Sequence, residues 1–426
     1  MRLEKVQTYV TVPPSGIGGS FWVFVEVSTD DGITGTGECY GVPVSGDVVS
    51  AMVADTFTRF LEGEDPHHLE TMFRRVYSAG FTQRPDISMM GVFSGLEMAI
   101  WDILGKAHGV PVFELLGGKF HDRLRTYSYL YPTQTNHLGN PADGEGDVYH
   151  DGDAAAESAL RFLEMGFTAI KQDPVGPYSF QGGRELSLYE LNRAEYSIRR
   201  IREAVGDRAD ILLGTHGQMT TTSAIRLARR IERFDPLWFE EPCPPDQLEG
   251  LKTVAARTSI PVAAGERLTT RKEFYEVLQA GVRILQPNVG RSGGLWETKK
   301  IAAVAELFNA QVAPHIYCGP VAHAAATHLG FTLPNFLILE TILSDFHEQV
   351  AYSSLKWDHG WMMPPNQPGL GIELNHEKID DHSYESGGRL HLEMTQEPLD
   401  SNNHKVAEEL SKVATGHGRK LRQVCR

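Results

Sequence analysis

The chain has 426 residues, 41% of them hydrophobic and 22% charged. That is an ordinary globular balance with room for two or three domains, and it argues against collagen and wholesale disorder. A formal charge of −15 makes nucleic acid a poor partner for this surface, although a local cation or metal would still admit a small anionic substrate.

No run of 18 apolar residues occurs, and Met1-Arg2-Leu3-Glu4-Lys5 has no apolar stretch behind it. Neither a membrane span nor a secretory leader is therefore expected. Cys39, Cys243, Cys318 and Cys425 show no CxxC spacing, and a reducing cytoplasm is the expected compartment.

In chain order, Phe21–Val27 is rich in aromatic and β-branched residues and predicts a strand. Asp30-Asp31-Gly32 predicts a turn and Ile33–Glu38 the returning strand of a hairpin. Helical spacing follows near 47–62, 67–78 and 92–108. The first third thus reads as α+β. From about residue 124 short apolar runs alternate with amphipathic helices. The runs are Tyr127–Tyr131, Thr168–Lys171, Ile211–Leu213, Leu237–Phe239, Pro261–Ala264, Ile284–Gln286, Val312–Pro314 and Phe336–Leu339. Helical patterns such as Thr221–Arg233, Arg271–Ala280 and Gly294–Phe308 lie between them. Eight such units predict a closed parallel (β/α) barrel, in which chemistry sits where the strands end. A long irregular stretch, Pro132–Asp153, follows the first barrel strand and reads as functional or mobile. Beyond the barrel, Pro368–Ile372 predicts a turn into a strand, and Asn402–Arg426 a basic helical tail.

Titratable residues recur where the runs end. Strand two offers Lys171 and Asp173, and strand three Gly214, Thr215 and His216. Strand four offers Glu240 and Glu241, strand five Glu266, strand six Asn288, strand seven His315 and strand eight Glu340. Carboxylates from neighbouring strands form half of a hard-cation site, and Mg²⁺ keeps waters for a substrate to displace. A divalent metal opposite His or Lys is the arrangement that abstracts a proton α to a carboxylate, with the ene-diolate stabilised by the metal. Glu240 and Glu266 are the expected metal ligands, against a rim salt bridge to Arg267 or Lys171. Glu241 is expected to support them from behind, because adjacent strand residues face opposite ways. His216 and His315 are the expected acid and base, against structural imidazoles. Lys171 and Glu340 are expected to contact substrate. Tyr317 and Cys318 are read as pocket wall, and His67, His68, His323 and His347 as surface or cap residues.

Met98–Lys106 with Leu115-Leu116-Gly117-Gly118 resembles the capping-domain signature of the enolase superfamily. Trp238-Phe239-Glu240-Glu241-Pro242, Ala264-Gly265-Glu266, Gln286-Pro287-Asn288 with Ser292-Gly293-Gly294, and Ala313-Pro314-His315 resemble the barrel motifs of its mandelate racemase and muconate-lactonizing branch. The resemblance covers residues 1 to about 385. It implies an α+β cap over residues 1–122, a modified (β/α) barrel over 123–343, a segment 344–400 returning to the cap, and a tail 401–426. It places Pro13–Ser20 where that family has a mobile lid. Gly214-Thr215-His216-Gly217-Gln218, the Glu340 ending and the long loop after strand one look most like sugar-acid dehydratases.

Three positions depart from the family pattern. Gly214 stands where the family usually has an Asp ligand, Asn288 where it has an Asp paired with the strand-seven His, and Asp173 where it has a second Lys. Asp173 is the candidate to fill the vacated ligand corner. The bland alternative is that it caps a helix or pairs with Lys171, and a further one is that His216 ligates through a ring nitrogen. If Asn288 donates to His315, the imidazole proton sits on the other nitrogen and His315 presents an acid, which leaves His216 as base. The expected activity is a lyase that removes the α-proton of a sugar acid and expels the β-hydroxyl, with Mg²⁺ or Mn²⁺ as cofactor. An epimerase, racemase or cycloisomerase, or a non-catalytic sugar-acid binder with a degenerate metal site, are the alternatives. The expected partners are a sugar acid and further copies of the chain, with no nucleic acid and no membrane.

Overall fold

The computed structural model describes residues 1–131, 147–176 and 178–394. The chain opens with an antiparallel sheet of β1 (Leu3–Thr11), β2 (Trp22–Thr29) and β3 (Thr34–Cys39), in that order. The β2–β3 hairpin turns at the expected residues, with Thr29 N–H donating to Ile33 O at 2.9 Å. β1 was not foreseen: its outer residues are mostly half-exposed, so its sequence shows no clean alternation, and pairing with β2 is what makes it a strand.

Helices α1 (Gly46–Phe60), α2 (Leu69–Tyr77), α3 (Ile87–His108) and the short α4 (Val112–Leu115) complete this first layer. Asp86 caps α3 by accepting from Ser88 and Met89 N–H, and Gly109 ends it in the left-handed conformation. α3 is long and apolar enough to span a bilayer, but most of it is buried inside the protein. It is the central helix of the cap, apolar on every side because it is covered on every side. It meets β3 backbone to backbone: a Cβ on Gly37 would lie 1.8 Å from Gly95 O.

The barrel follows as predicted. Its strands are β4 (Leu124–Tyr129), β5 (Ala169–Gln172), β6 (Asp210–Gly214), β7 (Trp238–Glu240), β8 (Val262–Ala264), β9 (Ile284–Leu285), β10 (Gln311–Val312) and β11 (Leu339–Glu340). Each pairs in parallel with the next through β10, and β11 pairs with β4. A parallel bridge from Val312 to Phe336 completes the ring. The helices between strands are α5 (Gly152–Glu164), α6 (Leu188–Val205), α7 (Thr221–Ile231), α8 (Leu248–Ala255), α9 (Thr270–Gln279), α10 (Gly294–Glu306) and α11 (Pro320–Phe331). Tyr127, Ala169, Leu212, Trp238, Ala263, Ile284, Ala313 and Ile338, one from each strand run, form the buried plug inside the ring. Tyr127 and Trp238 meet edge to face at 5.3 Å, so the interior is filled rather than open.

Two cap carboxylates join the cap to the barrel, and a third joins it to the returning segment. Glu38 accepts from Gly319 N–H at 2.6 Å and Ala322 N–H at 2.9 Å, at the start of α11. Glu97 accepts from Leu295 and Trp296 N–H at 2.7 and 2.8 Å, at the start of α10. Asp102 accepts from Thr36 N–H and, at 2.7 Å, from Leu370 N–H on the returning segment. Anions at helix N-termini satisfy donors that have no partner within the helix. Asp102, within the cap signature read in the sequence, thus ties the cap to the returning segment.

After the barrel come α12 (Asp345–Val350), β12 (Ala351–Ser353), β13 (Lys356–Asp358), β14 (Trp361–Met363), β15 (Ile372–Leu374) and α13 (His376–Asp380). β14 pairs with the start of β4 and β12 with β15. His382 O accepts from Val12 N–H at 2.8 Å, which returns the chain to the first sheet. His323 and His347, read as surface or cap residues, are both buried. His323 lies inside α11 beside the Thr341 hydroxyl, and His347 Nε2 bonds Cys318 O at 2.9 Å. Most of the irregular stretch Pro132–Asp153 and the expected tail helix lie outside the described residues.

Candidate active site

The strand ends converge. Lys171 lies on β5, Gly214 ends β6, Glu240 ends β7 and Glu340 ends β11. Glu266, Asn288 and His315 follow β8, β9 and β10 within three residues. All seven are buried. His216 and Glu241, immediately after β6 and β7, take left-handed φ values of 45° and 42°. Non-glycine residues in that region cost energy and cluster at functional sites.

Glu240 is held on both oxygens. Oε1 accepts from Lys171 Nζ at 2.6 Å, and Oε2 from Trp238 Nε1 at 2.9 Å and Gln286 Nε2 at 2.6 Å. Lys171 Nζ also lies 3.9 Å from Glu340 Oε1. Burial opposes its charge, but Glu240, Glu340 and Glu266 outweigh burial and hold the ammonium above its ordinary range. Glu340 Oε2 accepts from Ile316 N–H at 2.8 Å, and burial raises its carboxyl to about 7. Glu241 points elsewhere and pairs with Arg267 at 2.5 Å.

The two histidines face this cluster from opposite sides with opposite partners. His216 Nδ1 lies 2.8 Å from Asp173 Oδ2. Burial lowers the imidazole, but Glu266 and Asp173 prevail and bring it to about 9. Burial, which favours the neutral ring, pulls the His315 imidazole down to about 3 against the pull of Glu266. Asn288 Oδ1 accepts from Gly290 N–H at 2.8 Å, so its amide nitrogen is the group turned to His315 Nδ1, at 3.1 Å. Turning the amide over would set NH₂ against the Gly290 N–H. His315 Nδ1 is therefore an acceptor, and its proton sits on Nε2. That atom is 3.4 Å from Glu266 Oε2 and 3.8 Å from Glu340 Oε2.

Asp173 does not fill the corner vacated at Gly214. Its Oδ1 accepts from Val175 and Gly176 N–H, and its Oδ2 from the Tyr178 hydroxyl and His216. Four donors occupy the carboxylate, which leaves it an orienting group for the imidazole. One donor atom each from His216, Glu240 and Glu266 lies within 4.8 Å of the others.

The residues fit a divalent cation. Glu266 Oε2 and Glu340 Oε1 are buried with no hydrogen-bond partner, and an acceptor buried without a donor is costly unless something positive meets it. Asp173, Glu240, Glu266 and Glu340 also outnumber Lys171 and its neighbouring imidazoles in charge. Glu240 and Glu266 would hold the ion, on adjacent paired strands. The sequence reading missed Tyr129, Tyr178, Gln286 and the Trp238 indole. Tyr129 ends β4 and Gln286 follows β9, so strand-end position was the available signal for both.

Comparison with known proteins gives the family. The mandelate racemase / muconate lactonizing enzyme N-terminal domain matches residues 10–117, and the family described as enolase C-terminal domain-like matches residues 154–379. D-galactonate dehydratase of Ralstonia pickettii (strain 12J) is 32% identical over 399 residues, covering 91% of this chain and 95% of that one. D-galactonate dehydratase of Xanthomonas oryzae pv. oryzae (strain PXO99A) is 33% identical over 393 residues, covering 89% and 94%. The crystal structure of a mandelate racemase/muconate lactonizing enzyme from Jannaschia sp. CCS1 superposes with a TM-score of 0.88 at 48% identity, covering 92% of this chain and all of that one.

Proposed function

We propose that this chain, which belongs to the mandelate racemase/muconate lactonizing enzyme family of the enolase superfamily, is a hydro-lyase that dehydrates a sugar acid to a 2-keto-3-deoxy acid. The observation that carries the proposal is the opposed pair of imidazoles at the acidic centre. His216, oriented by Asp173 through Nδ1, presents Nε2 to take the proton α to the substrate carboxylate. His315, with Nδ1 occupied by the Asn288 amide, presents Nε2–H to protonate the departing β-hydroxyl. Loss of the α-proton and the β-hydroxyl leaves an enol, which ketonises at C2.

Lys171 offers its ammonium to the substrate carboxylate from between Glu240 and Glu340. Glu240 and Glu266 would hold a divalent cation, with Mg²⁺ or Mn²⁺ the ion we favour, and it would supply positive charge that acidifies the α-proton and offsets the pull of Glu266 on the His216 proton. The dehydratase names of the relatives above support the reaction class, and D-galactonate is the first substrate to try.

The experiment is incubation with Mg²⁺ and an acid-sugar library in D₂O. Keto acid is the expected product. Deuterium at C2 without keto acid would make the enzyme an isomerase, and neither product from any acid sugar would make it a binder.

A further inference from the structure

Gly214 looks at first like decay, a metal ligand lost. The space beside it says otherwise. Gly214 pairs in register with Glu240 on the neighbouring strand, so a side chain at 214 would point into the same corner of the centre. That corner is filled. A Cβ at 214 would lie 2.3 Å from the Tyr129 hydroxyl, 3.0 Å from Lys171 Cε and 3.4 Å from His216 Cε1. The first distance is far inside any real carbon–oxygen contact, and Tyr129 has little room to yield. It is buried at the end of β4, with Lys171 Nζ 4.6 Å over its ring. Its ring lies nearly parallel to the His216 imidazole.

The hydroxyl also lies 3.5 Å from Nε2 of His216. Burial, with Tyr178, Glu240 and Asp173 close by, keeps the phenol protonated, so its hydroxyl can donate to a neutral Nε2 or accept from a protonated one. A neutral hydroxyl thus stands where the family places an anionic ligand.

We infer that Tyr129 is a positioning residue of this centre and that Gly214 is its obligate partner: the phenol occupies the corner a side chain at 214 would fill and holds His216 Nε2 toward the substrate. The two positions are one exchange rather than one loss. The inference rests on the proposed cation-assisted dehydration and deepens it.

The test is a double-mutant cycle read by calorimetry with Mg²⁺ and Mn²⁺ alone, on wild type, Tyr129→Phe, Gly214→Asp and the double variant. Gly214→Asp alone should gain no affinity, because the hydroxyl blocks the new carboxylate. Tyr129→Phe with Gly214→Asp should bind Mg²⁺ at least about tenfold tighter than wild type, since hard cations follow oxygen number and charge. Should Gly214→Asp fail to fold, Tyr129→Phe still decides. It keeps the ring, and its kcat should fall about tenfold or more with KM nearly unchanged, as expected when a transition-state contact is removed.

Gly214→Asp alone binding as tightly as the double variant would overturn the pairing, and so would a Tyr129→Phe enzyme of wild-type kcat. Failure of all four proteins to bind either ion would instead remove the cation-assisted reading, and the pairing with it.

Discussion

Asp173 and His216 are 43 residues apart in sequence, yet Oδ2 of one lies 2.8 Å from Nδ1 of the other. A carboxylate on that nitrogen holds the imidazole in one tautomer and one orientation. The pair follows β5 and β6, across the mouth from His315, whose own partner is an amide.

Asp173→Asn should therefore lower kcat by roughly 10²–10⁴, the range expected when an imidazole loses its orienting carboxylate. Divalent-ion affinity should stay within about threefold, because none of the oxygens left for the ion belongs to Asp173. Steady-state kinetics and calorimetry on the same preparation check both. A loss of ion binding as large as that of Glu266→Gln would make Asp173 a ligand after all.

Asn288→Asp inverts the tautomer of His315. A carboxylate can keep the Gly290 N–H bond but must receive a proton from Nδ1, which strips Nε2 of its hydrogen. We expect kcat to fall at least about tenfold with little change in KM, the pattern of an interaction made in the transition state. A variant with wild-type kcat would rule out His315 as the acid.

Glu240→Gln with Glu266→Gln should abolish calorimetric binding of Mg²⁺ and Mn²⁺, because both ligand charges are removed. Glu240→Gln alone also strands Lys171, whose closest anion is Glu240 Oε1 at 2.6 Å. Loss of one partner from a buried pair costs about 3–5 kcal/mol. A lowered melting temperature is therefore expected for Glu240→Gln, and a smaller change for Glu266→Gln.

Acid should unfold the protein steeply. His323 is held near 3, and His328, His347 and His391 near 4, each by burial. In the unfolded chain these imidazoles take up protons near pH 6.5. The stability they contribute is present above that pH and is lost as pH falls from 6.5 toward 4, at about 1.4 kcal/mol per pH unit for each group. His328 shows why the neutral form is required: Nδ1 accepts from Phe113 N–H and Nε2 bonds Leu370 O, so a second ring proton has nowhere to go. Chemical denaturation between pH 4.5 and 7 should show the decline, and His328→Gln, which can both accept and donate, should make it shallower by about one proton.

The barrel is legible because titratable or polar residues stand at, or within three residues after, the ends of the apolar strand runs, a pattern of period and position that one sequence carries. Leu237-Trp238-Phe239-Glu240 is such a run, and the structure ends β7 at Glu240. β1 was not legible, because its partner supplies the reason for its conformation. The orientation of Asn288 was not legible either, since it is set by the backbone N–H of Gly290. Asp173 is a candidate ligand by its place beside strand three and by charge balance, but its carboxylate is taken by donors brought in by the following loop and by His216 after β6. Tyr129 was passed over as an ordinary strand residue, since nothing in a sequence tells which side chain will stand where a glycine leaves space. Side chains facing a shared centre can be read from strand position; what they touch depends on neighbours distant in the chain.

The joint formed by Asp102 and by the return of His382 to Val12 bears on how the polypeptide is made. The N-terminal layer is synthesised first, but its central helix needs Leu370, and β1 needs residues near 382. At about 5–20 residues per second, the intervening stretch takes roughly 10–50 s to emerge from the ribosome. Through that interval Asp102 and the end of β1 lack these partners, and the nascent chain is exposed to aggregation. Codon usage, growth temperature and chaperone supply should therefore govern the yield of this protein more than the stability of the finished fold.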